Sequence, residues 1–217
     1  MVRVRWWGHS CFEVRGSSVT VVTDPHGGTV GLPEPGVKGD LVLASHDHFD
    51  HATGLDSVKA RGGEALVGFT GEKTVKGVPV KGVASYHDPK RGSLRGRNSI
   101  YVFSVDGVRF CHLGDLGHVP SDDQVREIGE VDVLFIPVGG VYTIDAKEAT
   151  ETIKKVKAKV VVPMHYKVPK LNLNISGVED FIRGKENVKK IGGPEFDVEA
   201  GKLPERQEIW VLSYPQL

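Results

Sequence analysis

Short apolar runs in this chain stop repeatedly at histidine or aspartate. Asp40-Leu41-Val42-Leu43-Ala44 is continuous enough to form a strand buried on both faces, and Ser45-His46-Asp47-His48-Phe49-Asp50-His51 follows at once. Three of the nine histidines and two aspartates fall in that short stretch. Polar and charged groups buried without partners are costly, so such a segment does not fill a core. It belongs on a loop at the end of a sheet, where rigid strands hold polar groups in place. His87 in SYHD, Asp115 in HLGDLGH and His165 in PMHY each follow an apolar run in the same way.

The rest of the chain predicts many strands, joined later by helices. Residues 2–7, 10–14 and 19–23 are rich in β-branched and aromatic side chains, with a turn at Gly16. Asp24-Pro25-His26-Gly27-Gly28 breaks the pattern and opens an exposed Gly- and Pro-rich loop as far as Gly39. Further strands are expected at 65–69, 78–85, 99–105 and 108–113. Ser121-x-x-Gln124, Asp145-x-x-Glu148 and Ser176-x-x-Glu179 then read as helix starts. Strands are expected between and after them at 131–138, 160–164 and 208–213. Two groups of strands with helices interleaved suggest packed sheets covered outside by helices. Residues 1–217 form one domain, with no repeat or linker to divide them.

Lys plus Arg and Asp plus Glu both number 28, so no net field pulls toward nucleic acid or an anionic membrane. No apolar run is long enough to span a bilayer. The opening MVRVRWWGHS lacks the apolar segment of a signal peptide. Cys11 and Cys111 are too few for a disulfide framework and fit small core positions. The expectation is a cytoplasmic protein acting on a small molecule, with no membrane and no nucleic-acid partner, and with a homo-oligomer left open.

Neutral imidazoles with carboxylates are the donor set of zinc, iron or manganese. In an extended segment His46 and His48 point to one side, and a turn at Phe49 sends Asp50 and His51 toward a second position nearby. One loop can therefore feed two adjacent ions. The alternative is a solvated His/Asp loop that binds nothing.

SHDHFDH, His87, Gly114-Asp115 and His165 together resemble the metal motifs of the metallo-β-lactamase superfamily. WWGHSCFEV, VVTDP, DVLFIPVGGVYTIDAKEA and VVVPMHYK are similar to its small single-domain hydrolases, the branch of the L-ascorbate-6-phosphate lactonase. The resemblance implies an α/β (α+β) fold, a four-layer αββα sandwich with a dinuclear site at the sheet edges. It implies two divalent metal ions, zinc first, with manganese or iron open. Metal one falls to His46, His48 and His87, metal two to Asp50, His51 and His165, with Asp115 bridging. His112 competes with His87, although strand parity separates His112 from Asp115. The flavodiiron proteins carry Glu where this chain has His48, and the true β-lactamases use Cys near the place of Asp115.

His9 and Asp24 match family positions close to the metals. Asp24 either orients a ligand imidazole or simply opens a turn. Arg95 and Asn98 match an R-G-x-N pattern, and a guanidinium there would suit an anionic group. Tyr142 or Thr143 could line the site. His26 and His118 lie on Gly-flanked loops that could rim the pocket, His118 as a substrate-binding or outer-shell candidate, with a solvated surface histidine the first reading for each. Asp145 is expected as a helix cap. Gly71-Glu72-Lys73-Thr74 lacks the spacing of a nucleotide loop.

The expected activity is metal-assisted hydrolysis of an ester, lactone or phosphoester in a small anionic metabolite, with Asp50 and Asp115 as the catalytic carboxylates. The rivals are a phosphodiesterase or ribonuclease, and a metal-binding protein without turnover.

Overall fold

The computed structural model describes residues 1–214. Six strands form the first sheet: β1 (Val2–Gly8), β2 (Cys11–Arg15), β3 (Thr20–Thr23), β4 (Gly39–Ala44), β5 (Lys59–Val67) and β13 (Glu195–Val198). Eight form the second: β6 (Gly71–Val75), β7 (Val78–Tyr86), β8 (Arg97–Val105), β9 (Val108–His112), β10 (Val133–Pro137), β11 (Val160–Met164), β12 (Val188–Lys190) and β14 (Glu208–Val211). The helices are short: α1 (Leu55–Val58), α2 (Asp122–Ile128), α3 (Ala146–Lys155) and α4 (Glu179–Ile182). Among the described residues no helix is long and apolar enough to cross a membrane.

Strand direction is what places the site. The first sheet has the order β13-β1-β2-β3-β4-β5. Its β1/β2 and β2/β3 pairs are antiparallel and β3/β4 is parallel, so β1, β3 and β4 all run one way. The second has the order β12-β14-β11-β10-β9-β8-β7-β6. There β7/β8 and β8/β9 are antiparallel while β9/β10 and β10/β11 are parallel. Hence β7, β9, β10 and β11 also share a direction. The C-terminal ends of these seven strands gather at one edge of each sheet, and six of them carry His9, Asp24, His46, His87, Asp115 and His165.

The core lies between the sheets. In β1 the burial alternates, with Val2, Val4 and Trp6 inside. Phe12 of β2 stacks on Phe135 of β10 at 4.0 Å, one ring from each sheet. Both are fully buried, a gain of roughly 1.5–3 kcal/mol apiece in transfer terms. A second, smaller cluster of Cys11, Val22, Val42 and Val58 sits under Trp7 and Leu55 of α1 on the outer face. This is why β4 is apolar on both faces from Leu41 onward: Leu41 and Leu43 face inward and Val42 faces α1.

Two of the three expected helix starts form. Ser121 with Gln124 and Asp145 with Glu148 make reciprocal capping boxes on α2 and α3. The third does not: Val178 is the N-cap of α4, with no side-chain cap. The backbone of Ser176 is committed elsewhere, its N–H to Gly139 O at 2.9 Å and its carbonyl to Lys167 N at 2.8 Å. The strand expected at 65–69 begins earlier, at Lys59. β6, β12, β13 and α1 gave no sequence signal, because they are short, polar or exposed. Gly71-Glu72-Lys73-Thr74 is one such segment, an edge strand pairing with β7.

Candidate metal centre

Each donor sits where a strand has just ended, and three of those turns use left-handed backbone. His9, Asp24 and His165 have φ of 51°, 37° and 50°. Such values cost a non-glycine residue free energy and persist where surrounding contacts enforce them. His9 O accepts from Trp6 Nε1 at 3.0 Å and from His165 N at 3.1 Å. Ser99 N donates to Ser45 O at 2.9 Å, a second bond tying the sheets beside the site. Gly114 brings the Asp115 turn against the Ser45 strand end. Its φ is +57°, and a Cβ there would lie 2.4 Å from Ser45 Cβ.

The donors converge on Asp115. Its Oδ2 lies 3.1 Å from His51 Nε2, 3.2 Å from His87 Nε2 and 3.4 Å from His165 Nε2. Asp50 Oδ2 lies 3.2 Å from His9 Nε2 and 3.6 Å from His51 Nε2. Three groups each have donor atoms within 4.8 Å of one another: His46/His48/His87, His9/Asp50/His51/His165, and His46/His51/Asp115. His48 is exposed and the rest are buried. His46 Nε2, His51 Nε2, both nitrogens of His165 and Asp115 Oδ1 are buried without a hydrogen-bond partner. Buried lone pairs left unpaired are expensive, and a bound cation among these donors would satisfy them. The residues present therefore fit a metal.

The surrounding shell turns each imidazole the same way. Asp24 Oδ2 lies 2.9 Å from His51 Nδ1 and 2.8 Å from His112 Nε2. The same carboxylate accepts from Ser45 N at 2.6 Å and Ser45 Oγ at 2.9 Å. Since Ser45 Oγ donates to Asp24, it accepts from His46 Nδ1, at 2.9 Å. His87 Nδ1 donates to Tyr142 O at 3.0 Å. With Nδ1 hydrogen-bonded in His46 and His87, their Nε2 is left facing the cluster, the arrangement typical of metal-binding histidines, while His51 Nδ1 lies close to Asp24 without a hydrogen bond.

Burial and mutual charge set the protonation. Burial pushes His9 and His46 down to about 3, which keeps both neutral. Burial would lower His51 as well, but Asp115, Asp24 and Asp50 around it outweigh this and hold it well above its ordinary value. Burial would raise Asp115, yet His165 and His51 hold it well below the usual carboxylate range. Asp50 and Asp24 are likewise depressed by their histidines against the opposing effect of burial.

Asp24 is both a turn residue and part of this shell. His87 joins the cluster, whereas His112 sits on the far side of Asp24, between the sheets with Phe12 and Phe135. Asn98 accepts from Asp115 N at 3.0 Å and donates to Leu113 O at 2.9 Å, bracing that turn. Arg95 and Tyr142 line a cavity of about 190 Å³ with His48, Phe49, Asp50, His87, Asp115 and Leu173. A larger cavity beside Tyr166 contains no histidine or carboxylate.

Two surface expectations fail. His26 is fully buried, not solvated: its Nδ1 accepts from Gly28 N at 3.2 Å and its Nε2 donates to Trp7 O at 3.3 Å. His118 is half-buried, its Nδ1 bonded to Val119 O at 3.0 Å, in a depression apart from the donor cluster. Ser45 and Asp88 were missed. Ser45 is the strand-end residue before His46, but nothing in its type marks it. Asp88 follows His87 directly, and Asp-Pro before a Gly- and Ser-rich stretch is a turn signal.

The model of the beta-lactamase superfamily domain matches residues 3–165. Among curated relatives, a UPF0173 metal-dependent hydrolase of Methanoculleus marisnigri is 32% identical over 88% of this chain and 91% of its own length. One of Thermococcus onnurineus is 31% identical over 76% of this chain and 85% of its own. A candidate zinc-dependent hydrolase of the metallo-beta-lactamase superfamily from Thermotoga maritima has a similar crystal structure. Its TM-score is 0.79 at 38% identity, covering 98% of each chain.

Proposed function

This chain belongs to the metallo-beta-lactamase superfamily and is a metal-dependent hydrolase, and from that premise we propose that it uses two divalent ions to hydrolyse an ester, lactone or phosphoester bond in a small anionic metabolite. His46, His48 and His87 would hold one ion. Asp50, His51 and His165 would hold the other, with Asp115 facing both. Bound there, the pair would supply Lewis acidity and bring the pKa of a shared water from its bulk value to about 7. Zinc, manganese and iron all suit these donors, and zinc is the first choice.

The protein's own groups do the rest. Asp50 lines the cavity, with its Oδ2 held by His9. It would orient the attacking water and take its proton. Ser45 and the Tyr142 carbonyl hold the His46 and His87 imidazoles with Nε2 pointing inward, and Asp24 lies beside His51 Nδ1. Among the described residues Arg95 is the one Lys or Arg side chain lining the cavity, which favours a substrate carrying negative charge. Phe49, Tyr142 and Leu173 supply apolar wall to the cavity.

The observation that carries this reading is the meeting of three Nε2 atoms from separate strand ends on the single Asp115 carboxylate oxygen. Metal content by mass spectrometry tests it, on protein purified without chelator or affinity tag. About two ions per chain are expected, lost in Asp115→Ala. A wild-type protein that takes up no metal on titration would overturn the reading. Turnover of lactones and simple esters against phosphodiesters then identifies the bond.

A further inference from the structure

Residues 88–96 form a closed loop hung from one buried carboxylate. The Asp88 side chain is inaccessible to solvent. Its Oδ1 accepts from Lys90 N at 2.8 Å and Gly92 N at 3.1 Å, and its Oδ2 from Leu94 N at 3.0 Å and Arg95 N at 2.8 Å. Gly96 O accepts from His87 N at 3.1 Å and Gly96 N donates to Gly92 O at 2.9 Å, closing the loop on the site. The fit beneath it is tight, because a Cβ on Gly117 would lie 2.3 Å from Asp88 N. The whole charge of Asp88 is thus spent on peptide N–H groups, the last of them Arg95's own.

Arg95 is left free at the far end. Its guanidinium lies over the Tyr142 ring at 5.6 Å, beside the cavity floored by Asp50 and Asp115. Those two carboxylates are engaged with His9, His51 and His87, and among the described residues Arg95 has no ion-pair partner. A planar guanidinium held between an anchored backbone and an aromatic ring, facing a cavity, is suited to bind an oxyanion through two parallel N–H groups.

We propose that residues 88–96 are an arm that reads an oxyanion on the substrate, with Arg95 making the contact and Asp88 acting as its positioning residue. This rests on the hydrolase reading above. A buried carboxylate surrounded by amides fixes the Arg95 backbone more firmly than a neutral acceptor can. In Asp88→Asn, the new NH2 group must face N–H donors, so the arm loosens.

Inorganic phosphate, titrated by calorimetry into the metal-loaded protein, tests the arm. Arg95→Ala and Asp88→Asn should each weaken binding about tenfold, the worth of one charge-assisted hydrogen bond, and the double variant should bind no more weakly than Arg95→Ala. That non-additivity is the signature of Asp88 acting through Arg95. The arm is overturned if Arg95→Ala binds phosphate like the wild type. It is equally overturned if Asp88→Asn weakens binding undiminished in the Arg95→Ala background, or if the loaded wild type binds no phosphate. Thermal unfolding and metal content of each variant guard against simple misfolding. Failure of the wild type to hold metal would instead overturn the hydrolase reading.

Discussion

The main-chain N–H of His165 donates to the carbonyl oxygen of His9 at 3.1 Å, and the two rings lie 4.2 Å apart. One residue ends β11 and the other ends β1, so this bond, like Ser99 N to Ser45 O, joins the two sheets at the level of the donors. The spacing of the sheets and the geometry of the centre are therefore one quantity. Whatever loosens the packing between the sheets should loosen the site.

Phe135→Ala tests that link. The substitution removes the ring stacked on Phe12 and should cost about 3–5 kcal/mol, read as a lower urea midpoint. Metal affinity should fall with it, although Phe135 is not among the clustered donors. A destabilised variant that binds metal as tightly as the wild type would separate the two properties.

Asp24→Asn should leave the fold and weaken the metal. An amide cannot accept at both positions from His112 and Ser45 as the carboxylate does, nor place a negative charge beside His51. The expected loss is about 10- to 100-fold in affinity, measured by competition with a chelator of known strength. Unchanged affinity would reduce Asp24 to a turn residue.

Val141→Gly should stabilise the protein. Val141 is a β-branched residue at φ 65° with 61% of its surface exposed, so the side chain adds strain and little burial. Relief of about 1 kcal/mol is expected in equilibrium unfolding. The strained turn also delivers the Tyr142 carbonyl to His87, and that contact should survive the change. No gain in stability would mean that the loop pays no conformational penalty here.

His26 should make the protein less stable in mild acid. Burial pushes its pKa below the ordinary 6.5, so it stays neutral in the fold while the unfolded chain takes up a proton. Its contribution is complete above about pH 6.5 and is lost as the pH falls toward the folded value. Protonation also removes the acceptor that Gly28 N uses. The stability difference between wild type and His26→Gln should shrink steadily from neutral pH downward. A difference independent of pH would rule out titration of this ring.

Much of this was legible in the sequence because the information was local. H-x-H-x-D-H after an apolar run places polar side chains at a strand end, and the Asp145 cap follows from its own four residues. What escaped depends on distant backbone. His26 looks like a loop histidine until the Trp7 carbonyl closes over it. Asp88 looks like a turn aspartate until four peptide groups fold around it. Ser176 has the right neighbours for a cap, but Gly139 claims its N–H first. β12 and β13 have only 3 and 4 residues, too short to show an alternation.

Strand direction also governs timing. The donors come from the ends of β1, β4, β7, β9 and β11, so no short stretch of the chain contains the centre. During synthesis the earlier histidines emerge long before His165 does, and before β11 exists to hold it. A complete donor set would therefore form only once β11 has joined the folded sheets, so metal binding would be coupled to folding.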